Sequence, residues 1–131
     1  MKVAFVCTGN SCRSQMAEGF AKVLGGGVLE AYSAGTHPVP EVNPNAIKVM
    51  MEAGVDISDQ YPKLLDEIPT DLDILITMGC GVVCPFVPNR HKEDWGLDDP
   101  AGKSIEEFRR VRDVIKLKVD ELVVRIKNNQ L

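Results

Sequence analysis

This sequence has no basic excess: 15 lysines and arginines stand against 19 acidic residues, a formal net charge of −4. A nucleic-acid binder would carry the opposite balance, so that partner class is excluded. The overall field weakly repels an anionic substrate, and any anion site must be made locally, from backbone N–H groups and a few cations. Long apolar runs are also missing. Nothing approaches the roughly 20 residues that span a bilayer. The apolar start, Val3 to Val6, gives way at once to Thr8-Gly9-Asn10-Ser11 and does not read as a secretion signal. Histidine is scarce, and no His/Cys pair completes a zinc set: His91 is seven residues past Cys84. A cytoplasmic monomer is expected, with no membrane partner, metal or other cofactor. What remains is 131 residues, 44% hydrophobic and 26% charged, enough for one globular domain and one core over residues 1–131. Four cysteines in such a chain suggest metal binding or redox chemistry rather than a structural disulfide framework.

The elements alternate. Lys2–Cys7 is a short β-rich run, and Ser14–Leu24 follows with Ala17, Phe20, Ala21 and Leu24 at helical spacing. Gly25-Gly26-Gly27 stops that helix through a left-handed C-cap. Val28–Ala34 reads as a second strand. Asn43-Pro44 opens a helix that turns Ile47, Met50 and Met51 to the core and ends at Gly54. Leu72–Met78 has the near-continuous apolar character of a central strand, and a short strand is expected near His91–Trp95. The last helix opens with a capping box, Ser104-Ile105-Glu106-Glu107. It buries a stripe of Phe108, Val111, Ile115, Val119, Leu122 and Ile126, with Arg109, Arg110, Arg112, Lys116 and Lys118 on a solvated face. The order β-α-β-α-β-(β)-α predicts a three-layer α/β domain, one four-stranded parallel sheet with helices on both faces. Ligands in such folds bind at the carboxyl ends of the strands.

Cys7 sits at the end of the first strand. The segment Cys7-Thr8-Gly9-Asn10-Ser11-Cys12-Arg13-Ser14 joins that strand to a helix without proline. Gly9 allows a tight turn and Asn10 tolerates a left-handed conformation. The N–H groups of Thr8, Gly9, Asn10, Ser11, Cys12 and Arg13 can then close as a nest around an oxyanion, helped by the helix N-terminus. Arg13 can grip two oxygens at once. The same field favours the thiolate of Cys7 as a nucleophile, and Ser14 can donate a hydrogen bond to it. Cys84 and Arg90 repeat the Cys-x5-Arg spacing, but the residues between them have no glycine and two prolines, and no helix signal follows.

The stretch CTGNSCRSQMAEG resembles the phosphate-binding loop shared by low-molecular-weight tyrosine phosphatases and thioredoxin-coupled arsenate reductases. The resemblance runs through Ser33-Ala34-Gly35, Asn43-Pro44-x-Ala46, Asp56-Ile57-Ser58 and the segment from Trp95 to Lys103, WGLDDPAGK. It implies a low-molecular-weight phosphatase-like fold. It also implies that Asp99, held extended before Pro100, is the general acid, with Asp98 as the structural alternative. WGLDDPAGK and the extra cysteines lean towards the reductases. In those enzymes the first cysteine after the third strand attacks the nucleophile's arsenic adduct and a second resolves the disulfide, which here implies Cys80 and Cys84. Their x3 spacing is short for the group, though two cysteines four apart can meet on a helical turn. A metal half-site or small buried hydrophobes are the alternatives. Thioredoxin is the implied electron donor, and arsenate or a phosphate-like oxyanion the implied substrate.

Asn10, Glu18 and Ser33 resemble residues that surround a potassium ion beneath the loop in some arsenate reductases. The family's acidic fourth member falls at Lys63, which either replaces the ion with its ammonium group or is a solvated surface lysine. Cys12 reads as a bystander, His37 and His91 have no assigned role, and Trp95 reads as a packed aromatic or a reporter of acid-loop motion. The rival activity is phosphoester hydrolysis by Cys7, Arg13 and Asp99. Few aromatics stand near Asp99-Pro100-Ala101 to flank a phosphotyrosine ring. A redox sensor that binds an anion or metalloid without turnover is the non-enzymatic alternative.

Overall fold

The structure is a computed structural model that describes residues 1–79 and 89–131. Cys80 and Cys84 lie outside the described residues. β1 (Lys2–Cys7) pairs with β2 (Glu30–Gly35) on one side and β3 (Ile74–Thr77) on the other, and β3 pairs with β4 (His91–Asp94). All pairings are parallel, in the order β2-β1-β3-β4. The register aligns Cys7 with Gly35 and Thr77 with Asp94. The loops that follow all four strands therefore leave from one edge of the sheet.

The sheet's two faces differ. α1 (Arg13–Leu24), α2 (Pro44–Glu52) and α3 (Ile105–Lys127) share one core with Val3, Phe5, Ile74 and Ile76. Ala4, Val6, Ala34 and Leu75 point the other way, onto Ile68, Leu72 and the short 3₁₀ helix at Leu65–Glu67, which carries Leu65 against them. α3 contributes most to the larger core. Its six expected stripe residues are all buried, each worth roughly 1.5–3 kcal/mol relative to exposure.

Several local expectations need correction. Ser104 caps α3 without a side-chain hydrogen bond, Glu107 N donating to Ser104 O at 3.1 Å, and the Glu107 carboxylate is held by Arg110 Nε and Nη2 at 3.0 and 2.9 Å instead of reaching back. Arg112 is not solvated: it reaches α2 and donates to Val49 O and to Glu52, which Arg109 also grips. In α2 the buried positions are Ala46, Val49 and Met50, while Met51 is exposed. Asn43 does cap α2, its Oδ1 accepting from Asn45 N at 2.9 Å. Gly25, the C-cap of α1, has φ −109°. The left-handed residue comes later, at Gly27, because Val28 N and Leu29 N turn back onto Gly25 O. That turn also delays β2 to Glu30.

Candidate active site

The loop after β1 is shaped from outside. Thr36 N, His37 N, Val39 N and Asn43 N donate to the carbonyls of Cys7, Thr8, Gly9 and Ser11, at 3.3, 2.9, 3.1 and 3.1 Å. Gln15 Nε2 takes Asn10 O at 3.0 Å, and Met16 N takes Cys12 O at 2.9 Å. Each planar peptide points its N–H opposite its C=O. Drawing six successive carbonyls outward turns the N–H groups of the loop inward. Asn10 takes the left-handed conformation, at φ +49°. No side chain caps α1, so its first N–H groups remain available to an anion.

These groups line a cleft of about 530 Å³, whose walls include Cys7, Thr8, Gly9, Ser11, Cys12, Arg13 and, across from the loop, Asp99. Asn10 is the exception. It is fully buried, and its side chain serves the loop from beneath: Nδ2 donates to Ser14 Oγ at 2.8 Å and Oδ1 accepts from Lys63 N at 2.9 Å. Ser14 Oγ in turn lies 2.9 Å from Cys7 Sγ. With its oxygen already accepting from Asn10, the hydroxyl has its proton free to donate to the sulfur. Cys12 faces the opposite conditions. Burial, reinforced by the Asp99 charge, pushes its thiol up to about 12. It stays protonated at neutral pH and is no rival nucleophile.

Arg13 is almost wholly buried. Its Nη1 donates to Met78 O at 3.0 Å and Leu97 O at 3.1 Å, and its Nη2 lies 3.7 Å from Asp99 Oδ2. Asp98 points elsewhere, to Arg110 Nη2 at 3.0 Å. The two adjacent aspartates thus separate into one that faces the cleft and one that anchors the segment to α3.

Glu18, Ser33 and Lys63 meet below the loop. Ser33 Oγ donates to Glu18 Oε1 at 2.6 Å, and Lys63 Nζ lies 3.2 Å from Ser33 O and 3.6 Å from Glu18 Oε1. Lys22 takes the other Glu18 oxygen at 2.6 Å. Lys63 is mostly buried, its ammonium 4.8 Å from the Tyr61 ring centroid, and is not a solvated surface lysine. Trp95 packs on Phe5 with ring centroids 5.7 Å apart, and its indole N–H donates to Glu93. His91 also bonds Glu93, away from the cleft. Sequence reasoning missed the carbonyls of Met78 and Leu97, whose role carries no residue-type signal, and His37, which lines the cleft.

The sequence profile described as low molecular weight phosphotyrosine protein phosphatase matches residues 2–131. Arsenate reductase 1 of Staphylococcus epidermidis is 47% identical over 130 residues, covering 95% of this chain and 96% of that one. A solved arsenate reductase in its phosphate-binding state superposes with a TM-score of 0.87 at 46% identity, over 95% of this chain and 98% of the other. A thioredoxin-dependent arsenate reductase of Corynebacterium glutamicum superposes with a TM-score of 0.80 at 34% identity, over 98% of this chain and 62% of that longer one.

Proposed function

The chain belongs to the low molecular weight phosphotyrosine protein phosphatase family, and we propose that within it the protein is an arsenate reductase, converting arsenate to arsenite and regenerated by thioredoxin. The loop with Cys7, Arg13 and Asp99 serves hydrolysis and reduction equally. The observation that tips the balance is that Met78, whose carbonyl is bonded to Arg13, is followed two residues later by Cys80 and then by Cys84. A phosphatase has no use for that pair.

In the proposed cycle the Cys7 thiolate attacks arsenic while the loop N–H groups and Arg13 hold the oxyanion. Asp99 gives its proton to the departing oxygen, which leaves as water. The Cys80 thiolate then attacks Cys7 Sγ. A Cys7–Cys80 disulfide forms, the sulfur–arsenic electron pair passes to arsenic, and arsenite is released. Cys84 attacks Cys80, giving Cys80–Cys84 and freeing Cys7 as thiolate. The thioredoxin dithiol reduces that bridge and is itself oxidised. A cycle that begins from three reduced thiols belongs in the cytoplasm. Among the described residues, no helix is long and apolar enough to cross a membrane. Below the loop, Lys63 acts with Glu18 and Ser33 as a built-in cation, and no added ion is needed there. The same Cys7, Arg13 and Asp99 set supports slow hydrolysis of small phosphoesters.

The test is arsenate-dependent NADPH oxidation with thioredoxin and thioredoxin reductase, run beside aryl-phosphate hydrolysis and beside glutathione with glutaredoxin. Thioredoxin-coupled turnover is expected, and Cys84→Ser is expected to complete a single reduction without multiple turnovers. Hydrolysis with no reductase turnover would sink the proposal. Turnover with glutaredoxin alone would overturn the choice of donor.

A further inference from the structure

Beyond the ends of β3 and β4 the two chain segments meet backbone to backbone. A Cβ added at Gly79 would lie 2.6 Å from Gly96 Cα and 2.9 Å from the Gly96 carbonyl carbon, closer than a side chain tolerates. Both glycines have positive φ, +74° and +57°. Met78 and Leu97 flank this crossing, and their carbonyls converge on Arg13 Nη1 at 3.0 and 3.1 Å. Leu97 N also donates to Met78 O at 3.2 Å, tying the two segments together.

With Nη1 engaged, the guanidinium keeps its Nε–Nη2 edge. Among the described residues Nε is buried and has no hydrogen-bond partner, and Nη2 reaches only the 3.7 Å contact with Asp99. Two parallel N–H groups on such an edge match two oxygens of a tetrahedral anion. We infer that Gly79 is a positioning residue for oxyanion binding: its contact with Gly96 brings two carbonyls to one guanidinium nitrogen and so fixes the free edge of Arg13 towards the cleft. The inference rests on the Cys7–Arg13 loop being the anion site. Without the clamp, Arg13 must be oriented anew at each binding event, which weakens affinity.

The glycines supply their own control. A Cβ at Gly96 meets nothing within 4 Å, so Gly96→Ala adds the same methyl at positive φ without closing the gap. Binding of inorganic phosphate is measured by protection of Cys7 from iodoacetamide. Wild-type protein that phosphate does not protect would count against the anion site itself. Given wild-type protection, Gly79→Ala is expected to weaken phosphate binding at least tenfold and Gly96→Ala less than threefold. Alkylation without phosphate should stay within twofold of wild type in both, since the Cys7–Ser14 contact is untouched. Equal losses in the two variants overturn the inference, as does a Gly79→Ala protein that melts earlier yet binds phosphate normally. Nitrogen-15 NMR of arginine-labelled wild-type protein keeps the inference falsifiable even if Gly79→Ala does not fold. A clamped Arg13 gives separate Nη1 and Nη2 resonances without phosphate, and a single averaged resonance overturns the inference.

Discussion

Asp99 and Arg13 are coupled across the cleft. Asp99 Oδ2 stands 3.7 Å from Arg13 Nη2, while Oδ1 accepts from Ala101 N at 3.0 Å. The carboxyl group is therefore aimed at the anion site and touches the residue that would hold the anion. Asp99→Asn keeps the shape and removes the transferable proton. It is expected to lower arsenate turnover roughly a hundredfold or more, with phosphate affinity equal to or tighter than wild type, because a competing charge beside Arg13 is gone. Asp98→Asn, whose partner is Arg110, should change turnover less than threefold. Steady-state kinetics beside phosphate protection of Cys7 checks both.

The relay from Asn10 through Ser14 to Cys7 predicts a defect in the nucleophile. A hydrogen bond to a charged group contributes roughly 1.5 kcal/mol, or about tenfold in rate. Ser14→Ala is expected to slow alkylation of Cys7 at neutral pH by about that factor. Asn10→Ala, which leaves Ser14 unoriented, should slow it in the same direction. Rates in either variant equal to wild type would show that the relay does not act on Cys7.

Lys63 predicts how the protein responds to salt. Its ammonium already sits by Glu18 and Ser33, so replacing sodium with potassium at constant ionic strength should alter wild-type turnover and melting temperature little. In Lys63→Gln the buried Glu18 carboxylate retains Lys22 alone among its described cationic partners. That variant is expected to lose stability and to recover part of it with added potassium, by mass action on a folded-state site. Thermal melts in the two salts measure the difference.

Glu93 ties β4 to α3, and its titration sets an acid limit. Bonds from Arg125, with smaller help from His91 and Trp95, hold its carboxyl at about 2, below the ordinary 4.5. A depressed carboxylate stabilises the fold above its unfolded value and loses that contribution as pH falls through the folded one. Glu93→Gln is therefore expected to cost up to about 3 kcal/mol at pH 7. The gap should narrow from pH 4.5 and close near pH 2. Denaturant melts across that range would expose the error if the gap were flat.

Much of this protein was legible in its residues alone. β1 falls on Lys2–Cys7 as expected, and the α3 stripe is buried throughout, because periodic burial is written directly in the order of apolar residues. The proximity of Cys7, Arg13 and Ser14 was legible because all three stand within one eight-residue loop. Local sequence could not decide contacts between distant segments. The choice of Glu52 over solvent for Arg112 depended on which helices became neighbours. Gly35 entered the sequence reading only through the Ser33-Ala34-Gly35 resemblance, yet a Cβ there would meet Thr8 O at 2.6 Å. The resemblance favoured Asp99 over Asp98 as the acid, but the partners that set the two apart, Arg110 for Asp98 and Arg13 for Asp99, come only from the tertiary structure. The sequence by itself determined the loop and the parallel α/β order, since these follow from local chemistry and periodicity. The tertiary structure alone decided how Arg13 is aimed, because its partners, the carbonyls of Met78 and Leu97, are 65 and 84 residues away along the chain, and backbone groups that every residue carries leave no mark in a sequence.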